Sequence, residues 1–233
     1  MAHMRGARNI SGQKLRPARR AFYAYIRQFG ALLFAATLAV EYGRSTDTFS
    51  YWTLVLSFIY FQLPLKSRAL AWFHPVTFLA SFVTPAQYAF LLFAKPRVEY
   101  DRMELLDISI TKVLVRSFLM YLAPLCLHGL DIALNRENLL VSYSLKPRKL
   151  MLAWTVLGYA MLEVCFFFLG GGGEYSQQGY DGGGGGEGVG TAGLEAVPAE
   201  YAGAARGVSA VVAVFAAVLL HLLLINEAYK MQS

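Results

Sequence analysis

Charged residues are scarce in this sequence. They make up 15% of the 233 residues, whereas hydrophobic residues make up 56%, and a soluble domain usually carries about a quarter charged residues. The charges are also bunched, since residues 207–225 include no Lys, Arg, Asp or Glu. About twenty apolar residues are needed to cross the ~30 Å hydrocarbon core of a bilayer as a helix. This scarcity argues against an ordinary soluble domain and predicts an integral membrane protein.

Cysteine and the common catalytic motifs are also scarce or missing. Cys126 and Cys165 both lie in apolar segments, so they predict buried thiols rather than a disulfide framework. The HExxH, HxxEH and paired-Cys spacings of zinc sites do not occur, nor does the Gly-x-Ser-x-Gly elbow of α/β hydrolases. The glycine runs have no strand before them and no neighbouring Lys, so a P-loop is not predicted. We expect no metal and no cofactor.

Apolar residues, in contrast, form six long segments. Continuously apolar segments favour helices over the alternating strands of a barrel. The sequence therefore predicts an all-α integral membrane protein, a bundle of about six transmembrane helices, with the third interrupted by Pro75 and Pro85. The predicted helices span about residues 22–40, 49–65, 69–93, 117–134, 150–169 and 207–225.

Basic residues set the predicted topology. The first twenty residues hold six Lys or Arg and no acid. This composition predicts a cytosolic tail over 1–20, and a transit-like sequence is the alternative. A six-helix domain is predicted over 21–233. Lys and Arg also occur in the loops after the second and fourth segments. Because cytoplasmic loops carry an excess of Lys and Arg, this pattern predicts that both termini lie in the cytosol. The net charge of +6 comes mostly from the tail, so a membrane surface is a better acidic partner than nucleic acid. Arg27 is expected to snorkel.

The connection between the fifth and sixth segments is rich in glycine. It contains the runs Gly170–Gly173 and Gly182–Gly186 with scattered acids. Such a composition cannot bury a core. We expect a disordered outer loop at about residues 170–202.

Ionisable residues inside membrane helices are costly and are functional candidates by default. His128 and Asp131 are three residues apart and so share a helix face. They predict a base held by a carboxylate inside a cavity, an inter-helix hydrogen bond, or a helix end that already lies at the membrane interface. Glu163 must pair or be protonated, and Arg116 or His128 is a conceivable partner. His74 is predicted to be an interfacial anchor.

The second segment carries a row of hydroxyls. Ser50, Thr53 and Ser57 recur at helical spacing and lie on one face. Such hydroxyls commonly bond to backbone or to neighbouring helices. A catalytic hydroxyl is the alternative interpretation of the same pattern.

Two stretches resemble a known family. FSYWTLVLSFIYF at residues 49–61 resembles the second-helix motif of the androgen-induced-gene and androgen-dependent TFPI-regulating family of membrane proteins. PLCLHGLDIAL at 124–134 is similar to its fourth-helix histidine region, and LKPRKL at 145–150 to the basic loop that follows. The spacing from His128 to Pro147 is similar too. The predicted number and orientation of the helices resemble the family over most of the chain. The amino-acid sequence resembles it only in these short stretches.

The resemblance implies an intramembrane hydrolase of lipid esters, notably fatty-acid esters of hydroxy fatty acids. The family's threonine nucleophile falls on Ser50, with Thr53 one turn later as the alternative, and its histidine falls on His128. A hydroxyl is a weak nucleophile until an adjacent base takes its proton. Asp131 could orient the imidazole, as the third group of a triad does. The family's Trp/Tyr-Pro motif in the loop after the fifth helix is missing here.

The expected partners are the lipid bilayer and a lipid ester, with no nucleic acid and no protein partner specified. The expected location is the endoplasmic reticulum or plasma membrane rather than a mitochondrial membrane. The alternative function is a non-catalytic multi-pass membrane subunit or scaffold. A transporter ranks third, because only the third segment is broken by proline.

Overall fold

The computed structural model describes residues 17–42, 48–64, 68–144, 146–169 and 202–230. Helices account for nearly all of these ranges, which contain no strand. Residues 1–16 of the predicted tail and 170–201 of the predicted glycine-rich loop lie outside the described residues. Residues 17–20 of the predicted tail are the first residues of the first helix.

Each of the six predicted segments coincides with a helix. The structure adds one short helix, α4, that the sequence analysis missed, and the last helix contains a π-helical turn at His221–Ile225. The helices are α1 (Pro17–Glu41), α2 (Phe49–Gln62), α3 (Arg68–Ala94), α4 (Val98–Leu106), α5 (Ile110–Ser144), α6 (Arg148–Leu169) and α7 (Ala202–Leu220, His221–Ile225 and Asn226–Lys230).

Four of these helices are long and apolar enough to cross a membrane. They are Phe22–Glu41 of α1, Ala69–Ala94 of α3, Ile110–Ser144 of α5 and Ala204–Lys230 of α7. The 14 residues of α2 extend only about 21 Å at 1.5 Å per residue. An all-helical chain with four such helices among its described residues is consistent with a helical membrane protein.

The central helix is α3, which packs against α2, α5, α6 and α7. It is continuous from Arg68 to Ala94 with Pro75 and Pro85 inside it, so the predicted interruption is wrong. Hydroxyl side chains bond to backbone carbonyls along this helix, including Thr77 to Phe73 at 3.0 Å. Neighbouring helices and such side chains are what make proline tolerable within membrane helices.

Local sequence sets both ends of α2. The Thr48 hydroxyl accepts the Tyr51 backbone N–H at 3.3 Å and caps the start of the helix. Pro64 follows the C-terminal cap residue Leu63, and the residue before a proline disfavours helical backbone. The hydroxyl row therefore lies on a short helix with defined ends.

Two buried ion pairs join α1 to α5. Arg27 of α1 contacts Asp131 of α5 at 3.1 Å, and Arg116 of α5 contacts Glu41 of α1 through two bonds of 2.7 and 2.6 Å. The cation is on α1 in one pair and on α5 in the other. Each helix carries its cation before its acid along the sequence, so the antiparallel arrangement of α1 and α5 brings opposite charges together.

The spacing of these pairs differs by one residue between the helices. Arg27 and Glu41 are 14 residues apart, whereas Arg116 and Asp131 are 15 apart. The π-helical turn Phe118–Leu122 lies between the two α5 residues, and a π turn inserts one extra residue into an α-helix. The turn thus keeps both pairs in register.

We predict that Glu41→Gln strongly destabilises the protein, because it removes the carboxylate charge that two N–H groups of the buried Arg116 guanidinium contact. Removing one partner of a buried pair costs about 3–5 kcal/mol. Thermal unfolding of detergent-purified protein measures the loss. The exchange variant E41R/R116E should recover much of it.

The matched control for this prediction is Lys230→Ala. Lys230 and Glu227 form an ion pair at 2.9 Å, but Lys230 is 64% exposed. Exposed pairs contribute little, so the unfolding temperature should stay at the wild-type value. Equal losses in E41Q and K230A would contradict the role given to the buried pair.

Candidate functional site

A cluster of buried polar side chains lies where α1, α2, α3 and α5 meet. Each member is at most 5% exposed and contacts at least one other member. Buried polar groups are costly unless they are hydrogen-bonded. We call this set the polar cluster; it consists of Arg27, Ser57, Tyr60, His74, His128, Asp131 and Tyr143.

The α2 contribution follows from helical periodicity. Ser50, Thr53, Ser57 and Tyr60 are all buried, and their spacings of three, four and three residues place them on one helix face. This face points into the bundle, while Trp52 is 37% exposed. The hydroxyl row is therefore an internal feature of the fold.

Arg27 and Asp131 form the charged centre of the polar cluster. Arg27 Nη1 donates to both carboxylate oxygens of Asp131 at 3.2 and 3.1 Å. Arg27 Nη2 donates to the backbone carbonyls of Tyr60 at 2.7 Å and Leu63 at 3.0 Å. The expectation that Arg27 snorkels to the membrane surface is wrong, because its charge is neutralised inside the bundle.

Tyr60 links this ion pair to the histidines. Its hydroxyl donates to Asp131 Oδ2 at 2.5 Å, and the Arg27 guanidinium lies 4.9 Å from the ring centroid. The same ring lies 4.8 Å from the ring of His128 and 5.5 Å from that of His74, centroid to centroid. One aromatic ring thus touches both buried imidazoles.

His128 pairs with a serine. Its Nε2 lies 3.2 Å from Ser57 Oγ, and both residues are fully buried. No other described residue makes a hydrogen bond to His128 Nδ1. A hydroxyl within hydrogen-bond distance of an imidazole is the geometry that nucleophilic catalysis requires. Asp131 bonds to Arg27 and Tyr60 instead, so the expected triad orientation of His128 by Asp131 is not observed.

His74 makes a second histidine–hydroxyl pair. Its Nδ1 lies 2.7 Å from the Tyr143 hydroxyl, and its ring centroid is 6.4 Å from that of His128. The residue is fully buried. The interpretation of His74 as an interfacial anchor is therefore wrong, since the ring belongs to the interior of the bundle.

The other two predicted nucleophile positions lie elsewhere on α2. Ser50 Oγ lies 3.0 Å from the Thr48 hydroxyl, and Thr53 Oγ1 contacts Thr84 at 2.9 Å and the Phe49 carbonyl at 3.0 Å. Ser50 precedes Ser57 by seven residues, or about 10 Å along the helix axis. The structure brings His128 to Ser57 rather than to Ser50 or Thr53.

Glu163 was expected to pair or to be protonated, with Arg116 or His128 as a conceivable partner. Instead the Tyr159 hydroxyl donates to Glu163 Oε1 at 2.5 Å, within α6, and Arg116 bonds to Glu41. A second carboxylate, Glu99, accepts the hydroxyls of Tyr88 at 2.7 Å and Ser117 at 3.0 Å. Tyrosine is thus a recurrent partner of carboxylates in this fold.

Ser57 was visible in the sequence as part of the hydroxyl row, yet nothing singled it out from its neighbours. Arg27, Tyr60 and Tyr143 carried weaker signals still, because arginine and tyrosine near helix ends usually mark the membrane interface. Their roles depend on contacts across 33 to 104 residues of sequence. Periodicity does not report such contacts.

No protein-family model, curated protein or solved structure matches this chain.

Within the described residues, no group of three or more His, Cys, Asp or Glu side chains is arranged to hold a metal ion. The polar cluster supplies imidazole, hydroxyl, carboxylate and guanidinium groups. The Ser57–His128 pair is the part of it that combines a nucleophilic atom with a base.

We predict that Tyr143→Phe lowers the free energy of unfolding by about 1–3 kcal/mol, because a buried polar atom that loses its partner pays its desolvation cost. The partner lost is the hydroxyl beside His74 Nδ1. Denaturation of purified protein measures the effect. Tyr25→Phe is the control, since Tyr25 is 69% exposed. If both variants unfold like wild type, the His74–Tyr143 bond does not stabilise the fold.

Proposed function

We propose that this protein is an intramembrane hydrolase of lipid esters, with Ser57 as nucleophile and His128 as base. The single observation that carries the proposal is the 3.2 Å contact between Ser57 Oγ and His128 Nε2. The family resemblance supports the same chemistry and the same histidine. It predicts Ser50 or Thr53 as nucleophile, so the proposal keeps the class of reaction and moves the hydroxyl along one helix face.

The reaction follows ordinary acyl transfer. His128 Nε2 takes the Ser57 proton as Oγ attacks the ester carbonyl, and the imidazolium returns that proton to the leaving alkoxide as the carbon–oxygen bond breaks. Water then attacks the acyl-serine while His128 takes its proton. The acyl group leaves as a carboxylic acid and the proton returns to Ser57. Long-chain esters, notably fatty-acid esters of hydroxy fatty acids, fit this site because they concentrate in the bilayer.

The base role fixes the state of the imidazole. His128 accepts a proton at Nε2 only as the neutral tautomer that carries hydrogen on Nδ1. Burial favours a neutral imidazole because it penalises the charged form. Ser57 and His128 are fully buried, so the ester reaches them only when the surrounding helices separate.

We test the proposal by fluorophosphonate labelling and by turnover of a long-chain ester with purified protein. Ser57→Ala should abolish both, because it removes the attacking oxygen. His128→Ala should do nearly the same, and the double variant should be little worse than either, since the two act as a unit. Ser50→Ala and Thr53→Ala are the controls and should keep labelling.

Two other outcomes would change this conclusion. Loss of labelling in Ser50→Ala or Thr53→Ala, but not in Ser57→Ala, would move the nucleophile to that residue and keep the class of reaction. If none of the three hydroxyl substitutions changes labelling, or if wild-type protein does not turn over the ester, the hydrolase proposal is rejected.

A non-catalytic membrane subunit or scaffold is the second candidate. The observation that favours it is the complete burial of Ser57, His74 and His128, because buried hydrogen-bonded groups also serve to join helices. This function predicts that Ser57→Ala changes stability but leaves every enzymatic readout at background.

We further propose six membrane spans with both termini cytosolic, adding α2 and α6 to the four long apolar helices. The excess of Lys and Arg at the proposed inner ends supports this orientation. The endoplasmic reticulum or plasma membrane is the proposed location.

Protease protection in sealed cells that display the protein in the plasma membrane tests this topology. Tags at either terminus should resist external protease, and a tag inserted within residues 170–201 should be cleaved. Cleavage of a terminal tag from outside would contradict the topology. A cytosolic protein of the same cells, which must stay intact, controls for membrane leakage.

A further inference from the structure

Among the described residues, no carboxylate bonds to His128 in the way that orients histidine in a Ser–His–Asp triad. The nearest carboxylate along α5, Asp131, accepts the Tyr60 hydroxyl at 2.5 Å and the Arg27 guanidinium at 3.1 and 3.2 Å. What faces the imidazole is aromatic: the rings of Tyr60 and Phe61 lie 4.8 and 5.3 Å from it, centroid to centroid.

We propose that Tyr60 is the positioning residue of His128, and that Arg27 and Asp131 act on the imidazole through Tyr60. The inference rests on the proposed function. It extends that function by identifying what holds the base toward Ser57 in place of a direct carboxylate bond.

Tyr60 is held at three points. Its hydroxyl is bound by Asp131, its backbone carbonyl accepts Arg27 Nη2 at 2.7 Å, and the guanidinium lies over its ring at 4.9 Å. A ring fixed at its tip, its face and its backbone has little freedom to turn. It therefore forms a rigid wall for the imidazole packed against it.

The position of the Tyr60 ring affects the reactivity of the Ser57–His128 pair. Ser57 and Tyr60 are three residues apart on one face of α2, so the same helix presents both the hydroxyl and the ring that faces His128. A misplacement of about 1 Å in a reacting group costs roughly 10²-fold in rate. Tyr60 thus keeps the imidazole at the distance at which Nε2 can accept the serine proton.

The test uses two substitutions at one position. Tyr60→Phe keeps the ring but frees its tip from Asp131, so fluorophosphonate labelling should slow by roughly tenfold. Tyr60→Leu removes the ring, and labelling should slow by roughly 100-fold. With a soluble p-nitrophenyl ester, kcat should fall while KM stays constant, because the position of the base affects the chemical step rather than binding.

Tyr88→Phe is the matched control. Its hydroxyl donates to the Glu99 carboxylate at 2.7 Å, and its ring stacks on Tyr121 at 4.2 Å, centroid to centroid. The substitution therefore removes the same kind of tyrosine–carboxylate bond without touching His128. Its labelling rate, normalised to folded protein, should equal that of wild type.

Nitrogen-15 NMR of histidine side chains gives a second readout that does not require turnover. Tyr60→Phe and Tyr60→Leu should shift the His128 ring nitrogens and mix their tautomers, whereas Tyr88→Phe should leave them unchanged. Absence of ester turnover by wild-type protein would reject the proposed function. The NMR measurement would still test whether Tyr60 positions His128. Wild-type His128 signals in both Tyr60 variants, or wild-type labelling rates in an active protein, would overturn the inference.

Discussion

An arginine and an aspartate taken out of water cost several kcal/mol each unless each finds a partner. Arg27 and Asp131 meet this constraint with each other, and much of the polar cluster is arranged around them. Asp131 needs a further donor and receives it from the Tyr60 hydroxyl. Arg27 uses its Nη2 on the carbonyls of Tyr60 and Leu63 at the end of α2. Three helices therefore share one electrostatic centre.

The helices themselves could be predicted because a membrane helix needs a long apolar stretch, and that property is local. The six segments were located for this reason. The ends of α5 were not, because Ile110–Ser144 extends beyond the apolar part of its sequence at both ends. Its polar additions, such as Arg116, are stabilised by partners on other helices. The short α4 has no apolar stretch to reveal it.

The site was predicted in part, and for a related reason. His128 and the hydroxyl face of α2 could be recognised because periodicity places residues on a common face. The choice between Ser50 and Ser57 could not be made, since it depends on how far α5 is shifted along α2. That shift is governed by contacts such as Arg27 with Asp131, 104 residues apart. His74 was misjudged for the same reason, because its partner Tyr143 is 69 residues away.

The two ion pairs between α1 and α5 also have a consequence for how the chain is made. A ribosome adds about 5–20 residues per second, so Arg27 is complete roughly 5 to 20 seconds before Asp131 exists. During that interval α1 contains an uncompensated cation, five residues after the start of its apolar stretch at Phe22. The long arginine side chain can reach the aqueous boundary from there. We therefore expect Arg27 to snorkel during biosynthesis and to turn inward when the newly made α5 supplies the counter-charge.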